Sequence, residues 1–199
     1  TAQVKVKSVL FLRKEVKLLG ISPITSMFWF DVGRINDFHD YRPSVHNSDG
    51  LIISKTVEES QWMPLVNHHE HKMINYDTIC NKTPSSFGLV QRVRDYALYM
   101  DPSVKYNLNP NCIVTPNNDW GNGKIRLFIL PTANEWMDNI NVFWFSDTTY
   151  KINTPIYFDY TLSYSMKEPE IDKPFVLYTN NGLDINDAKN TIFSLSYKD

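Results

Sequence analysis

The residues best suited to chemistry lie in the run 131–139, PTANEWMDN, where Glu135 and Asp138 flank Trp136. The run sits between two segments that alternate like strands, 124–130 (KIRLFIL) and 140–145 (INVFWF), so both carboxylates fall where a strand end can offer them to a ligand. An apolar wall disfavours an ionised carboxyl group, and so does a second carboxylate nearby. Either acid is therefore a candidate general acid near neutral pH. The same letters also describe a solvated loop whose acids cap a turn.

A second polar group, His46, Asn47 and Asp49 in 45–50 (VHNSDG), reads either as turn residues bonding their own backbone or as a cluster facing a ligand. The run 67–71, NHHEH, is the metal-like stretch. His68 and His71 would share a helix face, and His69 and His71 a strand face. A third ligand at a recognisable spacing is missing, which favours a solvated loop over zinc, and no metal site is assigned.

The elements that must position these residues read as strands. Val4, Val6 and Ser8 alternate with Lys5 and Lys7, and the apolar run 21–30 (ISPITSMFWF) precedes a polar loop, 31–40. Residues 51–54 form a short strand. Residues 157–165 alternate Phe158, Tyr160, Leu162 and Tyr164 with Tyr157, Asp159, Thr161 and Ser163, one dry face and one wetter. On a strand, Arg92 and Arg94 share a face, forming a basic patch for hydroxyls or neutralising acids such as Asp95 or Asp101. Residues 91–100 are the one candidate helix. Trp120, in the glycine-supported turn 119–123, is either a lid over a sugar or a plug over the core. The charged, proline-bearing stretch from 167 reads as a linker to two last strands, 175–178 and 191–197. The expected division is therefore 1–166 and 167–199, all-β throughout.

Composition agrees with that class. Eleven Tyr, eleven Phe and five Trp among 199 residues suit covered strands and a groove that stacks flat apolar rings. A net charge of -2 without a block of like charge argues against nucleic acid as a partner. No run of 18 apolar residues suggests membrane insertion. No P-loop, G-x-S-x-G or dinucleotide fingerprint occurs, and no cofactor is expected. Cys80 and Cys112 allow one disulfide or two thiols. The chain begins at Thr1 with no signal segment, and its first strand has no preceding turn, so the opening reads as cut.

Six motifs in order carry a resemblance. They are Tyr41-Arg42-Pro43 with Val45-His46-x-Ser48-Asp49-Gly50; Trp62-x-Pro64-Leu65; Phe87-Gly88-Leu89-Val90-Gln91-Arg92-x-Arg94-Asp95; Trp120-Gly121-x-Gly123; and Pro131-Thr132-x-x-Glu135-x-x-Asp138-Asn139. With this order and spacing the chain resembles the periplasmic glucan biosynthesis family (MdoG/OpgG). The resemblance implies the later half of a large antiparallel β-sandwich of the galactose-mutarotase type, and a tail leading to an immunoglobulin-like domain that is absent from this sequence. It implies a fragment or shortened member, a periplasmic location, and a β-glucan polysaccharide as partner. The glucan is the osmoregulated, β-1,2-linked glucose polymer.

The resemblance also implies chemistry, that of an inverting β-1,2-glucan hydrolase or transglycosylase. One carboxylic acid protonates the leaving oxygen and a base across the bond activates water. Asp138 falls on the family's general acid, with Glu135 as a tuning neighbour. Tyr41, Arg42, His46, Asp49, Trp62, Arg92 and Trp120 are the candidates for the sugar cleft. The base position departs from the pattern, because Asn47 stands where the hydrolases carry Asp. Met63 and Asn109 stand where the family tends to have Arg. An amide holds water but does not take its proton, so the alternative reading is a glucan-binding or scaffold relative without turnover.

Overall fold

The first strands are β1 (Ala2–Phe11), β2 (Ile21–Ser26), β3 (Phe28–Phe30), β4 (Val45–His46), β5 (Gly50–Ser54), β6 (Ser60–Pro64) and β7 (Ile74–Cys80); β2 alternates with period two, whereas β5 is buried at four successive positions. They continue with β8 (Ser86–Val90), β9 (Asn111–Pro116), β10 (Gly123–Ile129), β11 (Ile140–Ser146), β12 (Pro155–Ser165), β13 (Phe175–Leu183) and β14 (Thr191–Lys198). This computed structural model describes residues 1–68, 72–167, 169, 175–187 and 189–198. On β10 the pattern is strict: Gly123, Ile125, Leu127 and Ile129 are buried, and Lys124, Arg126 and Phe128 are not.

Two large antiparallel sheets and the short antiparallel pair of β3 and β4 form the unit Thr1–Glu168. One has the order β1-β12-β9-β8-β5-β6 and the other β2-β11-β10-β7. Leu51, Ile53, Phe87, Leu89 and Val114 of the first share one core with Ile125, Leu127, Ile140, Val142 and Trp144 of the second. Two inner faces meeting in one apolar layer make a β-sandwich. The second unit, Pro169–Asp199, is the antiparallel hairpin of β13 and β14.

Register places the loops. Gly50 pairs with Pro64 and with Val90, so the segments before β5, after β6 and after β8 leave the larger sheet at one end. Ile129 pairs with Ile140 and with Ile74, so 131–139 leaves the smaller sheet at a single end too. Buried amides described below join these ends into one rim. The turn 117–122 lies at the other end of β10, a strand length of roughly 20 Å away.

Several expectations change here. Residues 91–95 are irregular, and only a 3-10 turn, Tyr96–Leu98, stands where a helix was expected. Arg92 and Arg94 therefore do not share a strand face. Arg92 stacks over Trp62 at 5.0 Å, while Arg94 donates to the Asn109 carbonyl at 2.8 Å and to Asn111 Oδ1 at 2.9 Å. Asp95 accepts from Ala97 N–H at 3.0 Å and caps the turn. Cys80 and Cys112 are two free thiols, on strands of different sheets.

Gly88 marks where β8 passes closest to β9. A Cβ there would lie 2.3 Å from the Cys112 carbonyl oxygen and 2.8 Å from Ile113 Cα. Backbone does not swing aside as a side-chain tip can. Gly88→Ala is expected to lower the unfolding free energy by about 1–3 kcal/mol, measured by urea titration; an unchanged midpoint would show that the two strands separate freely.

Candidate functional site

The rim is organised on Arg42, which lies between Asp40 and β4 and is almost fully buried. Its guanidinium meets three carboxylates: Asp40 at 2.8 Å, Asp101 at 2.7 Å and Glu135 at 2.9 Å. The planar fork explains how one residue serves all three. Nε and Nη2 take Asp40, Nη1 takes Asp101, and Nη1 and Nη2 together take Glu135. Tyr106 Oη donates to Glu135 Oε2 at 2.6 Å. Segments 40–44, 101–106 and 131–139 are thereby tied at one point.

Electrostatics follow the geometry. Burial opposes ionisation of Asp101, but hydrogen bonds from the Val104 backbone, Arg42 and Ser103 outweigh it and hold its carboxyl at about 2. Arg42 itself keeps the Asp40 carboxyl below its usual range. Burial, reinforced by the neighbouring Glu135, pushes the Tyr106 phenol up, so it remains a donor. Glu135 is thus a clamped carboxylate, with each oxygen engaged.

Buried amides hold the 131–139 loop. Asn139 accepts from Phe28 N–H at 2.8 Å and donates to the carbonyls of Phe28 and Leu130 at 3.0 and 3.1 Å. Asn67 donates to the carbonyls of Trp29 and Thr132 and accepts from Thr132 N–H. Between these bolts Asp138 is exposed, with no hydrogen bond or ion pair among the described residues. The apolar wall expected beside the acids is missing, because Trp136 projects into solvent at 86% exposure. Tyr41, next to Arg42, is 72% exposed.

The other predicted residues separate into roles. Asn47 Oδ1 accepts from Asn109 Nδ2 at 2.8 Å, so two positions expected to depart from the family pattern touch each other. Asp49 Oδ2 accepts from the backbone N–H groups of Arg92 and Val93, both at 2.9 Å, and so fixes the start of the loop after β8. Trp62 is half-buried and lies across Gly50, where a Cβ would fall 1.9 Å from the ring. Trp120, a candidate for the cleft, is instead a plug over the core. It is 6% exposed, packs against Phe87, Trp144, Phe158 and Tyr160, and stands at the opposite end of the sandwich from 131–139.

His46 is buried beneath this rim, stacked on Phe28 at 4.9 Å with its edge toward Tyr99 at 5.1 Å. Burial lowers its pKa to about 4, against a weaker opposing contribution from Gln91. An unfolded histidine titrates near 6.5, so below that pH the unfolded chain takes up a proton that the folded chain refuses. Stability from this group is complete above about 6.5 and is lost as pH falls toward about 4, by roughly 3 kcal/mol in total. Urea midpoints measured from pH 7 to 4.5 should fall for the parent, and His46→Phe should flatten the profile in that window. Equal slopes for both proteins would contradict this assignment.

Asp40, Asp101, Tyr106, Asn67 and Asn139 were not expected at the site. Asn and Asp are ordinary turn residues, and nothing local distinguishes an amide that bolts two loops from one in water. The spacing of Asp40 and Arg42 was the one available hint. His69, Glu70 and His71 lie outside the described residues; no group that could hold a metal occurs among those described. No helix among them is long and apolar enough to cross a membrane.

Comparison with known proteins gives these motifs a context. Residues 1–197 match the family model described as periplasmic glucan biosynthesis protein, MdoG. Glucans biosynthesis protein G of Pseudomonas aeruginosa strain LESB58 is 36% identical over 173 residues, covering 87% of this chain and 32% of that protein. The protein of that name from Pseudomonas syringae pv. tomato is 39% identical over 171 residues (86% and 26%), and that from Serratia proteamaculans 36% over 177 residues (89% and 33%). The chain thus spans about a third or less of these relatives' length. With its family model matched along nearly its whole length, this chain belongs to the periplasmic glucan biosynthesis (MdoG) family.

Proposed function

We propose that this region serves the family's glucan role in the periplasm by binding β-1,2-linked glucan without hydrolysing it. The observation that carries this reading is the 2.8 Å hydrogen bond from Asn109 Nδ2 to Asn47 Oδ1. A base that activates water must take up its proton, and a carboxamide oxygen, even with its second lone pair open beside the Asn109 bond, can position water but is far too weakly basic to accept that proton. The rim still offers sugar hydroxyls a set of partners in Arg92, Asp138 and the Asn47 amide.

A second reading, an inverting hydrolase or transglycosylase with Asp138 as acid, is favoured by one observation. Asp138 is exposed on an anchored loop and has no partner among the described residues, so its carboxyl is available to a glycosidic oxygen.

Titration of linear β-1,2-glucan into the chain and into Asp138→Asn, with product release measured in parallel, separates the two. Binding by both proteins with no product is the expected result. Turnover by the parent that disappears in Asp138→Asn would establish the enzymatic reading instead. Failure of the parent to bind glucan would overturn both.

A further inference from the structure

We propose that Trp136 is a stacking platform for a pyranose ring of the glucan, with Tyr41 as a second exposed ring on the same rim, a contact that rests on the glucan-binding reading above. Trp136 is the outlier among the five tryptophans, at 86% exposure against 6% for Trp120 and 0% for Trp144, with Trp29 and Trp62 half-buried. Tyr41 is 72% exposed. Among the described residues neither ring packs against another aromatic side chain.

The backbone positions that carry the two rings are tied through the ion pair of their neighbours. Trp136 follows Glu135 and Tyr41 precedes Arg42, and those neighbours bond at 2.9 and 3.3 Å. The backbone beneath the indole is held as well. Trp136 N–H donates to Asn134 Oδ1 at 3.0 Å, Thr132 Oγ1 donates to the Asn134 carbonyl at 2.8 Å, and Asn139 anchors the far end of the loop. A flat ring on a backbone already ordered loses little freedom when a ligand covers it.

The surroundings select the ligand class. An apolar protein surface laid over Trp136 would have to desolvate the exposed Asp138 two residues away and the clamped acids behind it. A pyranose presents a C–H face to the indole and hydroxyls at its edge to the carboxylate, so both groups are satisfied together. Isolated exposed aromatics are ordinary; an indole and a phenol flanking a fixed polar cluster are the arrangement a sugar uses.

The test is a titration with a linear β-1,2-gluco-oligosaccharide, following affinity and iodide quenching of tryptophan fluorescence. Trp136→Ala is expected to weaken binding roughly 3- to 10-fold, Trp136→Phe to recover most of it, and the sugar to protect the parent's fluorescence from iodide. The melting temperature of Trp136→Ala should stay close to the parent's, since so exposed a ring supports little of the core. Unchanged affinity in Trp136→Ala, or quenching unaffected by bound sugar, overturns the platform and leaves the glucan-binding reading standing. A parent that does not bind the oligosaccharide overturns both.

Discussion

Arg42→Met is expected to lower the unfolding free energy at pH 7 by about 3–5 kcal/mol, the cost of leaving buried or half-buried carboxylates without their cation. Asp101 is 3% exposed and sits 2.7 Å from the guanidinium, and Asp40 and Glu135 converge on the same group. Three carboxylates held together without the guanidinium repel one another as well as losing a partner. Arg42→Lys is expected to fall between, because an ammonium cannot present a planar fork to Asp40 and Glu135 at once.

The stability that this cluster confers depends on pH. The folded-state pKa values of Asp40 and Asp101 lie below the unfolded value of 3.8, so the stability they confer is complete above that value and fades as pH falls, for Asp101 toward about 2. The parent and Arg42→Met should therefore converge in strong acid and diverge above pH 4. Urea titrations at pH 7 and pH 3 measure the gap. A difference under about 1 kcal/mol at pH 7 would mean that the cluster behaves as a solvated surface pair.

The second large effect is a gain. Asn47→Asp, alone and combined with Asn109→Arg, is expected to raise product release from linear β-1,2-glucan by about 10²- to 10⁴-fold over the parent, the usual contribution of a general base. The pair matters because the two side chains are already bonded at 2.8 Å. In the single variant the Asn109 amide still donates to one carboxylate oxygen and leaves the other for water. In the double variant a guanidinium orients the carboxylate, and the stronger pairing lowers its basicity, so the single variant should peak at higher pH. If sugar binding survives in both variants and neither cleaves, the site lacks more than its base, and Asp138 is not acting as an acid here.

Much of the architecture was readable from local pattern. The alternation in 124–130 and 157–165 follows from the pleat, which sends successive side chains to opposite faces, and the burial of β10 and the core-facing Phe158, Tyr160 and Leu162 of β12 match it. The family was readable too, because six short motifs in order are a specific signal even where each alone is weak. Local pattern failed at 91–100, where helix-compatible letters are overridden by Gln91 and Asn111. Gln91 donates to Tyr99 Oη and the Tyr106 carbonyl, and Asn111 Oδ1 accepts from Gln91 N–H.

The site was legible only in part. The sequence by itself determined the strand class, the run between two strands that carries Glu135 and Asp138, and the neutral amide at position 47, since these depend on residue type and on neighbours a few positions away. The tertiary structure alone decided that Glu135 belongs to Arg42 and Tyr106, that Asn47 faces Asn109, that Trp120 fills the core while Trp136 stands in water, and that His46 is buried. The reason is distance along the chain. Arg42 and Glu135 are 93 residues apart and Asn47 and Asn109 are 62 apart, and contacts of that span are set by strand register and sheet packing, which no local spacing encodes.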